Sequence, residues 1–326
     1  MRILITGGAG FIGSHLSDHL LKEGHEVTII DDLSTGSILN IRHLKSNPKF
    51  HYYIDTITNE PMLAEYIDEA DMVFHLAAAV GVNLIIEDPV RTIETNIGCT
   101  EKVLKNCAKK KKRLLITSTS EVYGKNTNEE FKEDDDLIFG NTTKSRWSYA
   151  ASKAIDEFLA LAYVKKYNLP TTVVRLFNTV GPRQTGQYGM VIPGMIECGI
   201  KNQQIKVFGD GTQSRCFCHV KDVVVALAKL IQSENTIGEV YNIGSQHEIS
   251  IMSLAEIIKT KLEAKNFPSI TIKKIPYSEA YEPGFEDMLH RKPNLEKTKN
   301  AIGFNPKRTL DQILDDVIEE KMAALS

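Results

Sequence analysis

The chain has 326 residues, enough to bury a sizeable core and to form one large or two modest domains. Hydrophobic residues make up 42% and charged residues 25%, the balance of a soluble globular protein rather than a disordered one. A net charge of −3 gives no basis for nucleic acid or an anionic membrane surface as a partner, and no stretch reads as a signal peptide or transmembrane span.

The first expected element is a strand over 2–6, whose apolar run Ile3-Leu4-Ile5 leads directly into Thr6-Gly7-Gly8-Ala9-Gly10-Phe11-Ile12-Gly13. This segment fits T-G-x-x-G-x-x-G and, read from Gly8, G-x-G-x-x-G. A helix over 11–23, Gly24 and a second strand over 26–31 complete the unit. The glycines let the backbone turn tightly and approach a pyrophosphate, which rests on the amides at the helix N-terminus. Asp31 ends the second strand, eighteen residues past Gly13. A carboxylate there bonds the adenosine ribose hydroxyls and repels a 2′-phosphate, which selects NAD over NADP. NAD is therefore the expected cofactor, with Gly7, Gly10, Phe11, Ile12, Gly13, Asp31 and the adjacent Asp32 as its binding residues.

Strand patterns follow at 50–54, 72–76, 113–118 and 171–177, alternating with helical patterns near 61–69, 89–108 and 148–167. The alternation predicts an α/β fold, a Rossmann-like doubly wound parallel sheet with helices on both faces. Ligands of such sheets bind beyond the carboxyl ends of the strands, so residues just after each strand are the informative ones. The basic run Lys109-Lys110-Lys111-Lys112-Arg113 reads as a solvated helix end, and the acidic cluster over 129–136 as a solvated loop.

The strand at 113–118 runs out into Thr117-Ser118-Thr119-Ser120-Glu121-Val122-Tyr123-Gly124. A hydroxyl from Thr119 or Ser120 can share a substrate proton, and Glu121 adds an acid or base beside it. Tyr149-Ala150-Ala151-Ser152-Lys153 opens the next helix, placing Tyr149 and Lys153 four apart on one face. A phenol, with a reference pKa near ~10, is a poor base at neutral pH. A neighbouring ammonium and a nicotinium charge lower it. Lys153 can also hold the nicotinamide ribose. Behind an NAD fingerprint, this constellation suits removal of a hydroxyl proton coupled to hydride transfer.

Past Gly181-Pro182-Arg183 the pattern becomes mixed, with short strands at 205–208 and 240–243 and helices near 220–232, 251–263 and 309–323. The expected division is an NAD-binding domain with the Tyr/Lys pair over 1–180, then a smaller mixed α/β substrate-binding portion over 181–326 that partly returns to the sheet. Five cysteines, Cys99, Cys107, Cys198, Cys216 and Cys218, are odd in number and lack disulfide or zinc spacing. Cys216-x-Cys218-His219 alternates like a strand, so no metal is expected. Reduced thiols and a cytoplasmic location follow as expectations.

These segments together resemble the extended short-chain dehydrogenases/reductases, in their nucleotide-sugar epimerase/dehydratase/decarboxylase group, over essentially the whole chain. The resemblance runs through Thr6–Gly13, His75-Leu76-Ala77-Ala78, Asn96, Thr119–Gly124 and Tyr149/Lys153. It continues through Arg175-Leu176-Phe177-Asn178, Gly181-Pro182-Arg183, Gly209-Asp210-Gly211, Arg215-x-Phe217 and His290-Arg291-Lys292-Pro293. It implies that Asp31 and Asp55 hold the adenosine, and that His75, Leu76, Ala77 and Asn96 line the cofactor channel. It further implies that Asn178, Arg215 and Arg291 hold the diphosphate and uridine side of a UDP-sugar. The helices near 89–108 and 148–167 would pair with their copies in a homodimer.

The group shares a first step, in which Tyr149 takes the C4 hydroxyl proton while hydride passes to NAD, giving a 4-ketosugar. Its 4-epimerases resemble S-S-A-T-V-Y-G at the strand end, without the acid that Glu121 supplies. Many of its 4,6-dehydratases resemble T-D-E-V-Y-G, where this chain has Ser120; GDP-mannose dehydratases resemble T-S-E but typically use NADP, against Asp31. UDP-uronate decarboxylases resemble T-S-T-S-E-V-Y-G and carry an R-K-P segment like Arg291-Lys292-Pro293. The stretch Tyr281-x-x-Gly284-Phe285-Glu286-Asp287 is similar to the decarboxylase of aminoarabinose synthesis, whereas Ala79-Val80-Gly81-Val82-Asn83 resembles neither decarboxylase. Decarboxylation of a UDP-uronate leads, with 4,6-dehydration and 4-epimerisation as alternatives. A non-catalytic NAD-binding scaffold is the alternative of another class, and it would be expected to lose Tyr149 or Lys153.

Overall fold

In the computed structural model the described residues are 1–79, 88–186, 190–267, 269–280, 288 and 290–324. Their strands are β1 (Arg2–Thr6), β2 (Glu26–Asp31), β3 (Phe50–Ile54), β4 (Met72–His75), β5 (Arg113–Thr119), β6 (Thr171–Leu176), β7 (Thr179–Val180), β8 (Gln204–Phe208), β9 (Ser214–Cys216), β10 (Cys218–His219), β11 (Val240–Ile243), β12 (Glu248–Ser250) and β13 (Thr271–Ile275). The helices are α1 (Phe11–Lys22), α2 (Glu60–Glu69), α3 (Pro89–Lys110), α4 (Arg146–Tyr167), α5 (Val191–Asn202), α6 (Val220–Gln232), α7 (Ile251–Ala264), α8 (Tyr277–Ala280), α9 (Glu296–Ile302) and α10 (Leu310–Ala323).

Seven strands form one sheet in the order β11-β6-β5-β4-β1-β2-β3, every neighbouring pair parallel. The predicted doubly wound α/β architecture is the one observed. Alternate residues of β1 point to opposite faces. Ile3 and Ile5 pack with Leu16 and Leu20 of α1 and with Val223, Leu227 and Leu230 of α6. Leu4 packs on the other side with Leu63 and Ile67 of α2, Val103 and Leu104 of α3, and Ala160 of α4. Covering both faces buries the central strands, which is why they read in the sequence as continuous apolar runs, while the edge strand β3 keeps Tyr52, Tyr53 and Ile54 exposed. Strand order reverses between β1 and β4, and the crevice at that reversal is where such sheets take their ligands.

β11 joins the edge of this sheet in register with β6, Val240 opposite Val173 and Ile243 opposite Leu176. A second core gathers Ile192 and Ile196 of α5, Leu254, Ile258 and Leu262 of α7, and Ile313, Leu314 and Val317 of α10 around Ile205 and Val207 of β8.

Two charged segments differ from their expected solvated state. Lys109, Lys110 and Lys111 are exposed, but Arg113 is buried. Its guanidinium donates to the carbonyls of Pro170, Leu230, Ile231 and Ser233 and to the hydroxyls of Thr172 and Thr236. The last carbonyls of α6 have no intrahelical donors, and a buried arginine fork satisfies several of them together. In the acidic cluster, Phe131 is buried and ties the loop to the far end of the chain: its amide donates to the Lys292 carbonyl and its carbonyl accepts from the Asn294 amide. Glu130 bonds Lys292 at 2.9 Å and Asn294 at 3.1 Å, and Glu133 accepts from the Asn242 amide at 2.8 Å. This loop therefore holds the segment that carries Arg291.

Candidate active site

A cavity of about 930 Å³ opens at the carboxyl ends of the strands. One end is built on the turn after β1. Gly7 takes φ +74°, and a Cβ there would come within 2.7 Å of the Ala77 amide nitrogen; a Cβ at Gly13 would run into the Gly7 carbonyl oxygen. Gly10 occupies the N-cap of α1 and brings no side chain to its first amides, which suits them to phosphate oxygens. Gly7, Gly10, Phe11, Ile12 and Gly13 all line the cavity.

The next wall is acidic. Asp31 accepts from the Ala9 amide at 2.9 Å and the Leu33 amide at 2.8 Å, and burial raises its carboxyl above the ordinary range while these amides oppose the shift. Asp32 accepts from the Ser34 amide, and Asp55 from the Thr56 amide and the Asn59 side chain. All three carboxylates face the cavity, as do Leu76 and Ala77.

His75 and Asn96, expected to line the channel, stand behind it and are not among its lining residues. His75 is buried between the hydroxyls of Thr6 (2.7 Å) and Thr100 (3.1 Å), and burial pushes its imidazole down to about 3, so it is neutral. Asn96 accepts from the Ala79 amide at 2.8 Å and donates to Ser152 at 3.1 Å, joining the loop after β4 to α4. His75 thus points into the packing between the sheet and α3, and Asn96 braces the loop after β4 against α4.

Thr119, Ser120, Glu121, Tyr149 and Lys153 meet at the other end of the crevice. β5 ends in a single 3-10 turn, Ser120–Tyr123, capped by the Thr119 hydroxyl accepting from the Glu121 amide. The turn sends Glu121 into the cavity and Tyr123 into the core, where the Tyr123 hydroxyl donates to Asn242 at 2.8 Å and burial raises its pKa. Of these two tyrosines, Tyr149 is the one that faces the cavity. Glu121 forms an ion pair with Arg291 at 3.4 Å. Asn178 donates to the Cys216 carbonyl at 3.2 Å and Arg215 to the Ser214 carbonyl at 2.8 Å; both face the cavity with Arg291. Val80 to Asn83 and Tyr281 to Asp287 lie outside the described residues.

Arg91, Thr95, Gly98 and Lys102 of α3, which no motif in the sequence marks, also line the cavity. Their spacing of four, three and four residues is one helical face, a signal that becomes legible only once α3 is known to flank the crevice. Gln184 and Thr185, also in the wall, carry no local signature. Among the described residues no cluster of His, Cys, Asp or Glu is arranged to hold a metal ion, and no helix is long and apolar enough to cross a membrane.

The GDP-mannose 4,6-dehydratase family model matches residues 4–317. A UDP-N-acetyl-alpha-D-glucosaminuronate decarboxylase from Bacillus cytotoxicus is 41% identical over 98% of this chain and 97% of its own length. UDP-glucuronic acid decarboxylase 1 of Arabidopsis thaliana is 34% identical over 98% of this chain and 69% of its own. Among solved structures, a UDP-glucuronic acid 4-epimerase from Bacillus cereus, in complex with UDP-glucuronic acid and NAD, superposes with a TM-score of 0.87 at 29% identity, covering 99% of this chain and 100% of the other.

Proposed function

The chain belongs to the nucleotide-sugar epimerase, dehydratase and decarboxylase family of extended short-chain dehydrogenases/reductases, and on that premise we propose that it removes carbon dioxide from a UDP-linked uronic acid. The observation that carries this reading is the Glu121–Arg291 pair in the wall of the Tyr149 cavity, in a chain similar over nearly its whole length to uronate decarboxylases. Incubation with UDP-N-acetylglucosaminuronate and with UDP-glucuronate, with mass detection of products, is the test. A product lighter by carbon dioxide from either is expected; loss of water from a sugar with a C6 hydroxyl moves the assignment to a 4,6-dehydratase, and mere inversion at C4 to a 4-epimerase.

The cofactor is NAD, and the Gly7–Gly13 turn, which side chains at those glycines would fill, fits a dinucleotide. The nicotinamide, when bound, supplies a hydride acceptor and later its donor. In the proposed assignment Tyr149 takes the C4 hydroxyl proton as C4 becomes a ketone, with Thr119 or Ser120 sharing that proton and Lys153 holding the ribose. The C6 carboxylate is then β to a ketone. The C5–C6 bond breaks, its electrons pass into the C4 enolate, and carbon dioxide leaves. Arg291 receives the carboxylate, and Glu121 handles the proton that C5 takes up. Tyr149 returns its proton to the C4 oxygen as hydride comes back, so the cycle is redox-neutral. Asn178 and Arg215 hold the diphosphate and uridine, where an arginine fork suits bidentate oxygen recognition.

Asp31, Asp32 and Asp55 are assigned to the adenosine. Wild type should bind NAD more tightly than NADP, and Asp31→Ser should narrow the affinity ratio by about ten- to a hundredfold, the range for a hydrogen bond to a charged group. Titration of both cofactors reads this; an unchanged ratio removes Asp31 from the selection.

The same reading makes the protein a homodimer. Val90 and Ile93 on α3 and Ile155 and Phe158 on α4 are exposed, Phe158 at 70%. An apolar face on two packed helices suits a second copy. Sedimentation at micromolar concentration should give a dimer, and Phe158→Glu a monomer; a monomeric wild type contradicts it. Five free thiols support a reducing, cytoplasmic location.

A further inference from the structure

The Lys153 ammonium donates to Asp156 Oδ2 at 2.7 Å. Asp156 sits one turn further along α4, is completely buried and does not line the cavity. No functional assignment above uses it. Among the described residues no donor meets its other oxygen, Oδ1, in hydrogen-bonding geometry, although the Thr100 hydroxyl adds a stabilising dipole. Thr100 also pairs with His75, and His75 with Thr6 at the start of the glycine turn. A polar row thus runs beneath the cavity floor from the glycine turn to the Tyr149/Lys153 pair.

A buried carboxylate with one ionic partner is costly to keep unless its charge is needed. The geometry points to Asp156 as a positioning residue: it fixes the Lys153 ammonium against the cavity wall and balances its charge, and so sets the field under which Tyr149 exchanges its proton. An ammonium has three donors, so a bond to Asp156 is compatible with others turned toward the cavity. The field at Tyr149 is that of Lys153 less that of Asp156. Other titratable groups packed around the pair are His75 of β4, held neutral, and Cys99 of α3, its thiol pushed up to about 11 by burial. Glu157 on α4 is tied to Arg175 of β6 at 2.8 Å, and Glu121 to Arg291 across the cavity. Changing Asp156 leaves the two ion pairs in place and removes only its own upward push on the Cys99 thiol, which burial still holds protonated.

The test is Asp156→Asn, whose amide oxygen can still accept from Lys153 but carries no charge. Uncompensated, the ammonium favours the Tyr149 phenolate more strongly, so the phenolate should form at lower pH. The acid limb of the kcat/KM profile should move down by about one pH unit, the scale of one nearby charge at an effective dielectric near 20. The phenolate absorbance of NAD-loaded protein, taken as the difference from the same protein carrying Tyr149→Phe, should move with it. A lost packing role would lower the rate without moving either limb; a limb that stays in place or moves upward overturns the inference. The inference rests on Tyr149 as the base but not on the sugar, because the difference spectrum needs no substrate. A Tyr149→Phe enzyme that still turns over removes the base and leaves the spectrum to speak for the pair. If Asp156→Asn does not fold, the pair is tested from the other side: Lys153→Met should melt below Lys153→Met/Asp156→Asn, and the opposite order overturns it.

Discussion

Replacing Tyr149 with phenylalanine should abolish oxidation at C4, lowering turnover by about 10²–10⁴-fold, the range for a lost, positioned acid–base group. The ring is nearly buried in the wall of the cavity, so phenylalanine keeps its packing and loses only the oxygen that takes the proton. Binding of the UDP-sugar, assigned to Asn178, Arg215 and Arg291, should therefore remain close to wild type, as read by calorimetry. Tyr123 cannot substitute, because it lies in the core with its hydroxyl committed to Asn242. Full turnover by the variant would remove Tyr149 from the mechanism.

Glutamine at position 121 should separate the two halves of the reaction. The side chain keeps its size but loses its charge, its acid–base function and the ionic bond to Arg291. Oxidation at C4 precedes any demand on Glu121, so a 4-ketosugar should accumulate and be trapped by borohydride, while product formation slows by about 10²–10⁴-fold. Equal loss of ketone and product would place Glu121 in the first step, or in binding, instead of the second.

The parallel sheet was legible because its central strands, buried on both faces, read as apolar runs separated by helical patterns, and because the glycine turn and Asp31 lie within one local unit. The Tyr149/Lys153 pair was legible for the same reason: both residues belong to one helical face. What escaped depends on partners distant in the chain. Arg113 looked like the end of a lysine run, yet its role comes from the α6 carbonyl of Ile231, 118 residues on. Glu130 and Glu133 looked like a solvated acidic loop until Phe131 was found pinned to Lys292 and Asn294. Asp156 reads as an ordinary acid three residues after a lysine, a surface pair on an isolated helix; packing of α4 into the sheet buries it. His75 and Asn96 fit the expected motifs, but those motifs do not say whether a side chain enters a cavity or braces its wall.

The proposed reaction turns on one bond, C5–C6 of the sugar. UDP-N-acetylglucosaminuronate and UDP-glucuronate carrying carbon-13 at C6 should each be incubated with purified protein and NAD, and the headspace and the nucleotide sugar followed together. Label appearing in carbon dioxide from at least one of them, with an unlabelled UDP-pentose formed in equal amount and no net consumption of NAD, is the predicted result. Label retained in the nucleotide sugar from both, with only the configuration at C4 changed, would contradict it.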